Sequence, residues 1–184
     1  FSAAYDNLKG KGKNCRVGMS ASKLIVITHS AISGHGSFAV THIPRGTHLI
    51  TLTGKPMLKY RALLSHDPLQ IDENTYLDLN HESKTINHSC APNCGIRNRS
   101  DLYAIRDIKQ GEEITYDYST TVGSDDNIFA MPCACGAIDC RKVIGNFLSI
   151  PKIRLIDYAA LDALPQFIRD ELLVITNEVV WETS

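Results

Sequence analysis

No surplus of charge marks this sequence: 19 lysines and arginines face 20 aspartates and glutamates in 184 residues. That balance supplies no global field to draw the chain onto nucleic acid or an anionic membrane. The tightest basic run, "KGKGK" from Lys9 to Lys13, is embedded in glycine and too short to change this. Apolar runs are short as well, and "KLIVI" and "ELLVI" fall far below the roughly 20 residues of a membrane-spanning helix. A soluble chain with no membrane partner and no direct nucleic-acid binding is therefore expected. Cysteine is scarce, six in all, which is thin for a disulfide scaffold. A chain of this length buries a core without cross-links. Position 1 holds Phe1 rather than methionine, so a trimmed or processed piece is expected, from which targeting signals have been removed. Repeats and low-complexity runs are absent.

What is present is a series of short β-branched or aromatic runs bounded by Gly, Pro, Asn and Asp. They are "KLIVIT" (Lys23 to Thr28), "SFAVTHI" (Ser37 to Ile43), "HLITL" (His48 to Leu52), "TYLDL" (Thr75 to Leu79), "LYAI" (Leu102 to Ile105) and "EITYDY" (Glu113 to Tyr118), and each predicts a strand. A short helix is predicted over Lys59 to Ser65. After residue 148 the pattern changes: "ALDALPQFIRDELLVITNEVV" has apolar residues at helical spacing, with Pro165 suited to a first turn. The prediction is a mainly β body carrying a helical C-terminal appendage.

The cysteines are bunched. "PCACGAIDCRK" supplies Cys133, Cys135 and Cys140, a C-x-C-x4-C spacing that aims three thiolates at one point. Structural zinc takes four ligands, and Cys90 or Cys94 in "INHSCAPNC" can complete the set from upstream. Free buried thiols or an incidental disulfide are the alternatives. Taken alone, "NHSC" is also compatible with a nucleophile beside its base, or with a polar turn satisfied by backbone.

"SGHGSFAVTHIPRGTHLITLTG", "INHSCAPNC", "IKQGEEITYDY" and "CACGAIDCRKVIG", in this order, resemble the SET-domain protein lysine methyltransferases with a cysteine-rich post-SET segment. The resemblance spans about Lys23 to Phe147. It implies a fold of short strands with a pseudoknot and a zinc-bound post-SET loop, and it does not account for the tail after about Leu148, read above as a helical extension, or for the first twenty or so residues. The divisions expected along the chain are a flanking segment at 1–22, a SET domain at 23–128, a post-SET segment at 129–147 and the helical extension at 148–184. It further implies S-adenosylmethionine as methyl donor and a lysine side chain as acceptor, on a protein or peptide such as a histone tail. Gly34, His35 and Gly36 match the family's Gly-x-Gly element, where backbone approaches the donor; on its own that pattern is an ordinary hairpin turn. Asn87 and His88 match the Asn-His pair that binds the donor. Cys90 matches the fourth ligand of a structural zinc held with Cys133, Cys135 and Cys140, and Cys94 is the second choice.

Methyl transfer from a sulfonium needs alignment and a neutral amine rather than a covalent intermediate. Holding a free lysine uncharged at pH 7 costs about 4 to 5 kcal/mol, given a reference pKa of about 10.4. A dry aromatic channel beside a positive sulfonium shifts that value in the required direction. Tyr118 matches the family's catalytic tyrosine, whose hydroxyl orients the amine. Tyr116 matches the position held by Tyr or Phe, and its hydroxyl implies a bias toward monomethylation; strand packing is the plain reading of either tyrosine alone. The chain departs from the family in a compact Ser65 to Thr85 segment, with Lys84 where many members carry arginine and Tyr76 as a substitute aromatic wall or a core residue. Asp125 and Asp126 are candidates to meet a basic peptide, or a solvated loop. A catalytically silent peptide-binding module is the competing reading. An intracellular enzyme is expected, nuclear in a eukaryote or a host cell and cytoplasmic otherwise.

Overall fold

The computed structural model describes residues 24–65, 68–125 and 130–182. Cys15, the basic run at 9–13 and Asp126 lie outside the described residues. β1 (Ile25–His29) and β2 (His35–Ala39) form an antiparallel hairpin, with Ile25 opposite Ala39 and His29 opposite His35. β3 (His48–Thr51), β9 (Asp101–Ala104) and β8 (Cys94–Arg97) make one three-stranded sheet in the order β3-β9-β8. β4 (Gly54–Leu58), β6 (Thr75–Leu79) and β5 (Pro68–Asp72) make another in the order β4-β6-β5, crossed on its way by the short α1 (Lys59–Ala62). Two further pairs are only two residues long. β7 (Asn87–His88) runs parallel to β10 (Thr115–Tyr116), and β11 (Met131–Pro132) runs antiparallel to β12 (Val143–Ile144).

The predicted strands before residue 110 are present with shifted ends. β6 matches its prediction, whereas "SFAVTHI" forms strand only to Ala39 and then contributes a single bridge, Ile43 to Ile108. "EITYDY" departs most, because only Thr115 and Tyr116 are strand and Tyr118 begins a 3-10 turn ending at Thr121. The Asp117 carboxylate causes the change: its Oδ1 accepts the Ser119 N–H at 3.1 Å and caps that turn. β4, β5 and β8 were not predicted, since glycine, proline and single apolar residues break the β signal in each.

Apolar side chains from the strands and the segments that flank them, among them Ile43, Leu52, Ile96, Leu102, Ile108 and Ile114, form the main core. The C-terminal part builds a second one. α2 (Lys152–Ala160), α3 (Gln166–Glu182) and the turn between them bury Tyr158, Leu164, Phe167 and Ile168 with Phe147 and Ile150 of the preceding 3-10 turn and Ile105 beside β9. The predicted appendage is thus two helices with a turn between them, and Pro165 immediately precedes α3, where its carbonyl accepts the Arg169 N–H at 3.2 Å. Docking depends on the absence of a side chain at Gly95, where a methyl group would fall 2.4 Å from Ala163 Cβ. Gly95→Ala is expected to lose about 1 to 3 kcal/mol by overpacking, measured as a lower denaturant midpoint in equilibrium unfolding.

Candidate active site

The pairing of β7 with β10 sets Asn87 beside Thr115 and His88 beside Tyr116, so two motifs some thirty positions apart become neighbours. A polar clasp then fastens the β1–β2 hairpin to them. Glu113 accepts Ser30 Oγ–H at 2.7 and 2.9 Å through its two oxygens, and Asn87 Nδ2 donates to its Oε1 at 2.7 Å. The same amide nitrogen lies 3.3 Å from the Ser33 carbonyl and 3.2 Å from that of His35. Glu113 occupies the space a side chain at position 36 would need, since a Cβ on Gly36 would sit 2.2 Å from its Oε1. Gly34 has φ +44° and turns the chain into β2.

Two cavities open on this framework. One, of about 470 Å³, is lined by Gly34, His35, Asn87 and His88 on one side and Cys133 to Cys135 on the other. Its volume suits a cofactor-sized ligand. The other, of about 130 Å³, is lined largely by apolar groups, including Leu79, Ile86, Tyr116, Val122 and Ile144. Lys84, Tyr118, Met131 and Ile144 line both, so these four residues, Tyr118 among them, form the wall the cavities share. The Tyr118 hydroxyl donates to the Ile86 carbonyl at 2.8 Å, and its ring packs 4.8 Å from that of Tyr116. This hydrogen bond fixes the phenol at the junction.

Behind Tyr118 lie the thiols. Cys90 Sγ is 3.8 Å from Cys133 Sγ, and Cys140 Sγ is 3.6 Å from Cys133 Sγ. A tetrahedron of sulfurs around zinc, at Zn–S of about 2.3 Å, has edges of about 3.8 Å. Cys135 Sγ accepts the Cys90 N–H at 3.4 Å. The sulfurs of Cys90, Cys133 and Cys135 all lie within 4.8 Å of one another, while Cys140 stands outside that mutually close set and joins it through Cys133. His88 reaches the same cluster: its ligand atom and those of Cys90, Cys133 and Cys135 all lie within 4.8 Å of one another. Its two nitrogens have distinct partners. Nδ1 accepts the Tyr118 N–H at 3.1 Å, which puts the proton on Nε2, 3.4 Å from Cys90 Sγ. Burial lowers the His88 pKa to about 4 against the opposing pull of Asp117, with Arg141 adding to the decrease, so the ring is neutral at pH 7.

Arg141 follows Cys140 and closes the arrangement. Its guanidinium grips Asp117 through two bonds of 2.7 and 2.6 Å, while its backbone N–H donates to Cys90 Sγ at 3.4 Å.

Residues 34–119 match the SET domain family. The chain carries a SET domain. In Chaetomium globosum a protein named histone-lysine N-methyltransferase, H3 lysine-4 specific, is 33% identical over 142 residues, covering 65% of this chain and 13% of that protein. The Saccharomyces cerevisiae protein of the same name is 33% identical over 140 residues, again 65% of this chain and 13% of the relative. Arabidopsis thaliana histone-lysine N-methyltransferase ASHH3 is 31% identical over 142 residues, 65% of this chain and 38% of its own length. The chain thus spans a minor part of each of these relatives. Among solved structures, KRYPTONITE in complex with mCHH DNA, an H3(1-15) peptide and SAH superposes with a TM-score of 0.51 at 27% identity, over 64% of this chain and 29% of that one.

Within the SET domain, Gly34, His35, Asn87, His88 and Tyr118 all face the larger cavity, and Tyr116 and Tyr118 face the smaller. Gly36 stands behind the cavity wall against Glu113. Of the two candidate fourth cysteines, Cys90 joins the thiols, whereas Cys94 is buried in the main β core. Desolvation there pushes the Cys94 thiol far above its ordinary pKa. Tyr76 is buried and lines neither cavity, and Asp125 lines a separate recess with Glu73 and Glu171. Lys84 lies at both cavities, its ammonium 3.4 Å from Asp78. Glu113, Asp117 and Arg141 were not singled out in the sequence, because a carboxylate or a guanidinium in a charged stretch reads as surface until its partners are placed. Glu113→Ala is expected to cost about 2 kcal/mol by stranding the buried Ser30 hydroxyl proton and removing the shortest bond of the Asn87 amide, which keeps the Ser33 and His35 carbonyls. The check is a lower unfolding midpoint together with faster amide exchange across 33–37.

Proposed function

We propose that this SET domain is a protein-lysine N-methyltransferase. It transfers one methyl group from S-adenosylmethionine to the side-chain amine of a lysine in a basic protein segment such as a histone tail. The observation that carries this reading is the meeting of two unlike cavities at a shared wall that includes Tyr118: a large one lined by hairpin backbone and the Asn-His pair, and a narrow apolar one. The names of the fungal and plant relatives support a histone as acceptor, and with it a nuclear place of work.

The donor supplies an electrophilic methyl on a positively charged sulfur. Gly34, His35, Asn87 and His88 are the residues that would hold it, with the Glu113 clasp keeping the hairpin against the Asn-His strand. On the acceptor side, Ile86, Tyr116, Val122 and Ile144 exclude water, and desolvation favours the neutral amine over the ammonium. Tyr118, tethered to the Ile86 carbonyl, orients the amine's lone pair toward the junction, and positioning of this kind supplies much of the rate. The Tyr116 hydroxyl occupies room that a bulkier methylated amine would need, which biases the product toward monomethyl-lysine.

A structural zinc fits Cys90, Cys133, Cys135 and Cys140. Two sulfur separations, Cys90 to Cys133 and Cys140 to Cys133, lie close to its tetrahedral edge, and His88 Nε2–H is oriented to donate to the Cys90 thiolate rather than to bind the ion. With His88 assigned outside the ligand set, Cys140→Ser is expected to lower zinc content by mass spectrometry from one ion per chain toward none, whereas His88→Gln retains it. Retention by Cys140→Ser with loss in His88→Gln would reverse the assignment.

Incubation with labelled donor and a panel of basic peptides tests the activity. Incorporation is expected, falling about 100-fold in Tyr118→Phe as the amine loses its orienting contact. Tight peptide binding with no incorporation would favour a silent binding module instead. Tyr116→Phe is expected to raise the di- and trimethylated fraction, and an unchanged product ratio would remove Tyr116 from the specificity argument.

A further inference from the structure

We propose that Tyr158, on α2 of the C-terminal extension, is a positioning residue for the active site, acting through the Asp117 carboxylate. Asp117 separates Tyr116 from Tyr118, so whatever holds its carboxylate also holds the turn on which Tyr118 stands. An ionised carboxylate offers about four acceptor positions, and here four bonds reach it. Oδ1 accepts Ser119 N–H at 3.1 Å and Arg141 Nη2–H at 2.6 Å; Oδ2 accepts Arg141 Nη1–H at 2.7 Å and the Tyr158 hydroxyl at 3.2 Å. Tyr158 is therefore the sole contributor to this cage from outside the SET and cysteine-rich segments among the described residues.

Asp117 is 1% exposed and Tyr158 3% exposed, so water does not replace a lost bond there. Burial, and next the negative Asp117, push the Tyr158 phenol well above its ordinary pKa, which keeps its proton in place for donation. The support behind Tyr158 is rigid for reasons unconnected with Asp117. Ala163 packs against Gly95, Arg97 Nε donates to the Asp162 carbonyl at 2.9 Å, and Gln166 N–H donates to the Asn98 carbonyl at 2.9 Å. From Asp117 the chain of contacts continues outward. Arg141 Nη2 also lies 3.2 Å from Ser119 Oγ, which accepts the Gly145 N–H at 3.3 Å, and the Arg141 backbone N–H donates to Cys90 Sγ. A hydroxyl on the extension thus steadies both the Tyr118 turn and the loop that closes the donor cavity.

The inference rests on the methyltransferase reading for its catalytic consequence but not for its structural one, and the test separates them. Tyr158→Phe keeps the ring and removes the donor; Ile168→Val loosens the same helical cluster without touching Asp117. In the full chain, Tyr158→Phe is expected to speed amide exchange across 118–121 and 140–145 by about tenfold, the scale of one lost hydrogen bond to a charged group. It is also expected to lower kcat by about tenfold, with KM for donor and peptide held within about twofold. Ile168→Val should produce neither change in those segments. Wild-type exchange in Tyr158→Phe, wild-type kcat in an active preparation, or equal effects from Ile168→Val would each overturn the proposal. A wild-type chain with no transferase activity defeats the methyltransferase reading alone, and the exchange comparison then decides the role of Tyr158.

Discussion

The buried pair between Asp117 and Arg141 is the interaction on which the site depends. Removing two charges from water costs several kcal/mol per ion, and such a pair holds only if its remaining hydrogen-bonding positions are filled. On the Asp117 side the condition is met by Ser119, Arg141 Nη1 and Nη2, and Tyr158, whereas Arg141 Nε is buried without a hydrogen-bond partner. Its position does more than stabilise. The carboxylate lies in the backbone interval between Tyr116 and Tyr118, and the guanidinium sits one residue beyond Cys140, so one ion pair couples the tyrosines to the thiol loop. Had either partner been apolar, the loop and the strand could pack together without a defined register.

Around that pair the molecule divides its tasks among elements that would each be weak alone. β7 and β10 are two residues long, too short to persist in isolation. They are held by the Glu113 clasp on one side and the His88 ring on the other. His88 takes the Tyr118 N–H on Nδ1 and turns Nε2 toward Cys90, so a neutral imidazole links the turn to the sulfurs. The helical extension is part of the same construction. Its own apolar cluster takes in Ile105 and Phe147, and the close approach at Gly95 brings Tyr158 within reach of Asp117.

Much of this was legible before any coordinates. The C-x-C-x4-C spacing with a cysteine upstream announced a gathering of thiols, and β-branched runs between turn residues announced short strands. The choice between Cys90 and Cys94 was not legible from spacing, since both fall in the same nine residues. Both are buried and their packing partners separated them, Cys94 entering the β core while Cys90 turns to the loop. The strand reading of "EITYDY" failed past Tyr116 because a buried carboxylate capped a turn there, and a propensity argument sees Asp117 only as a poor strand former.

By itself the sequence determined the classes of group available: four cysteines at metal-binding spacing, two tyrosines flanking an aspartate, glycines where backbone must come close, and an amphipathic tail. These follow from local chemistry, in which residue type and interval limit what a segment can do. Tertiary structure alone decided which polar residues became internal. Glu113, Asp117, Arg141 and Tyr158 are ordinary in the chain, and their roles arise only where folding removes water and leaves them one another as partners. Hydrogen-bond strength and charge pairing depend on that removal, and it is a property of the packed molecule rather than of any stretch of sequence.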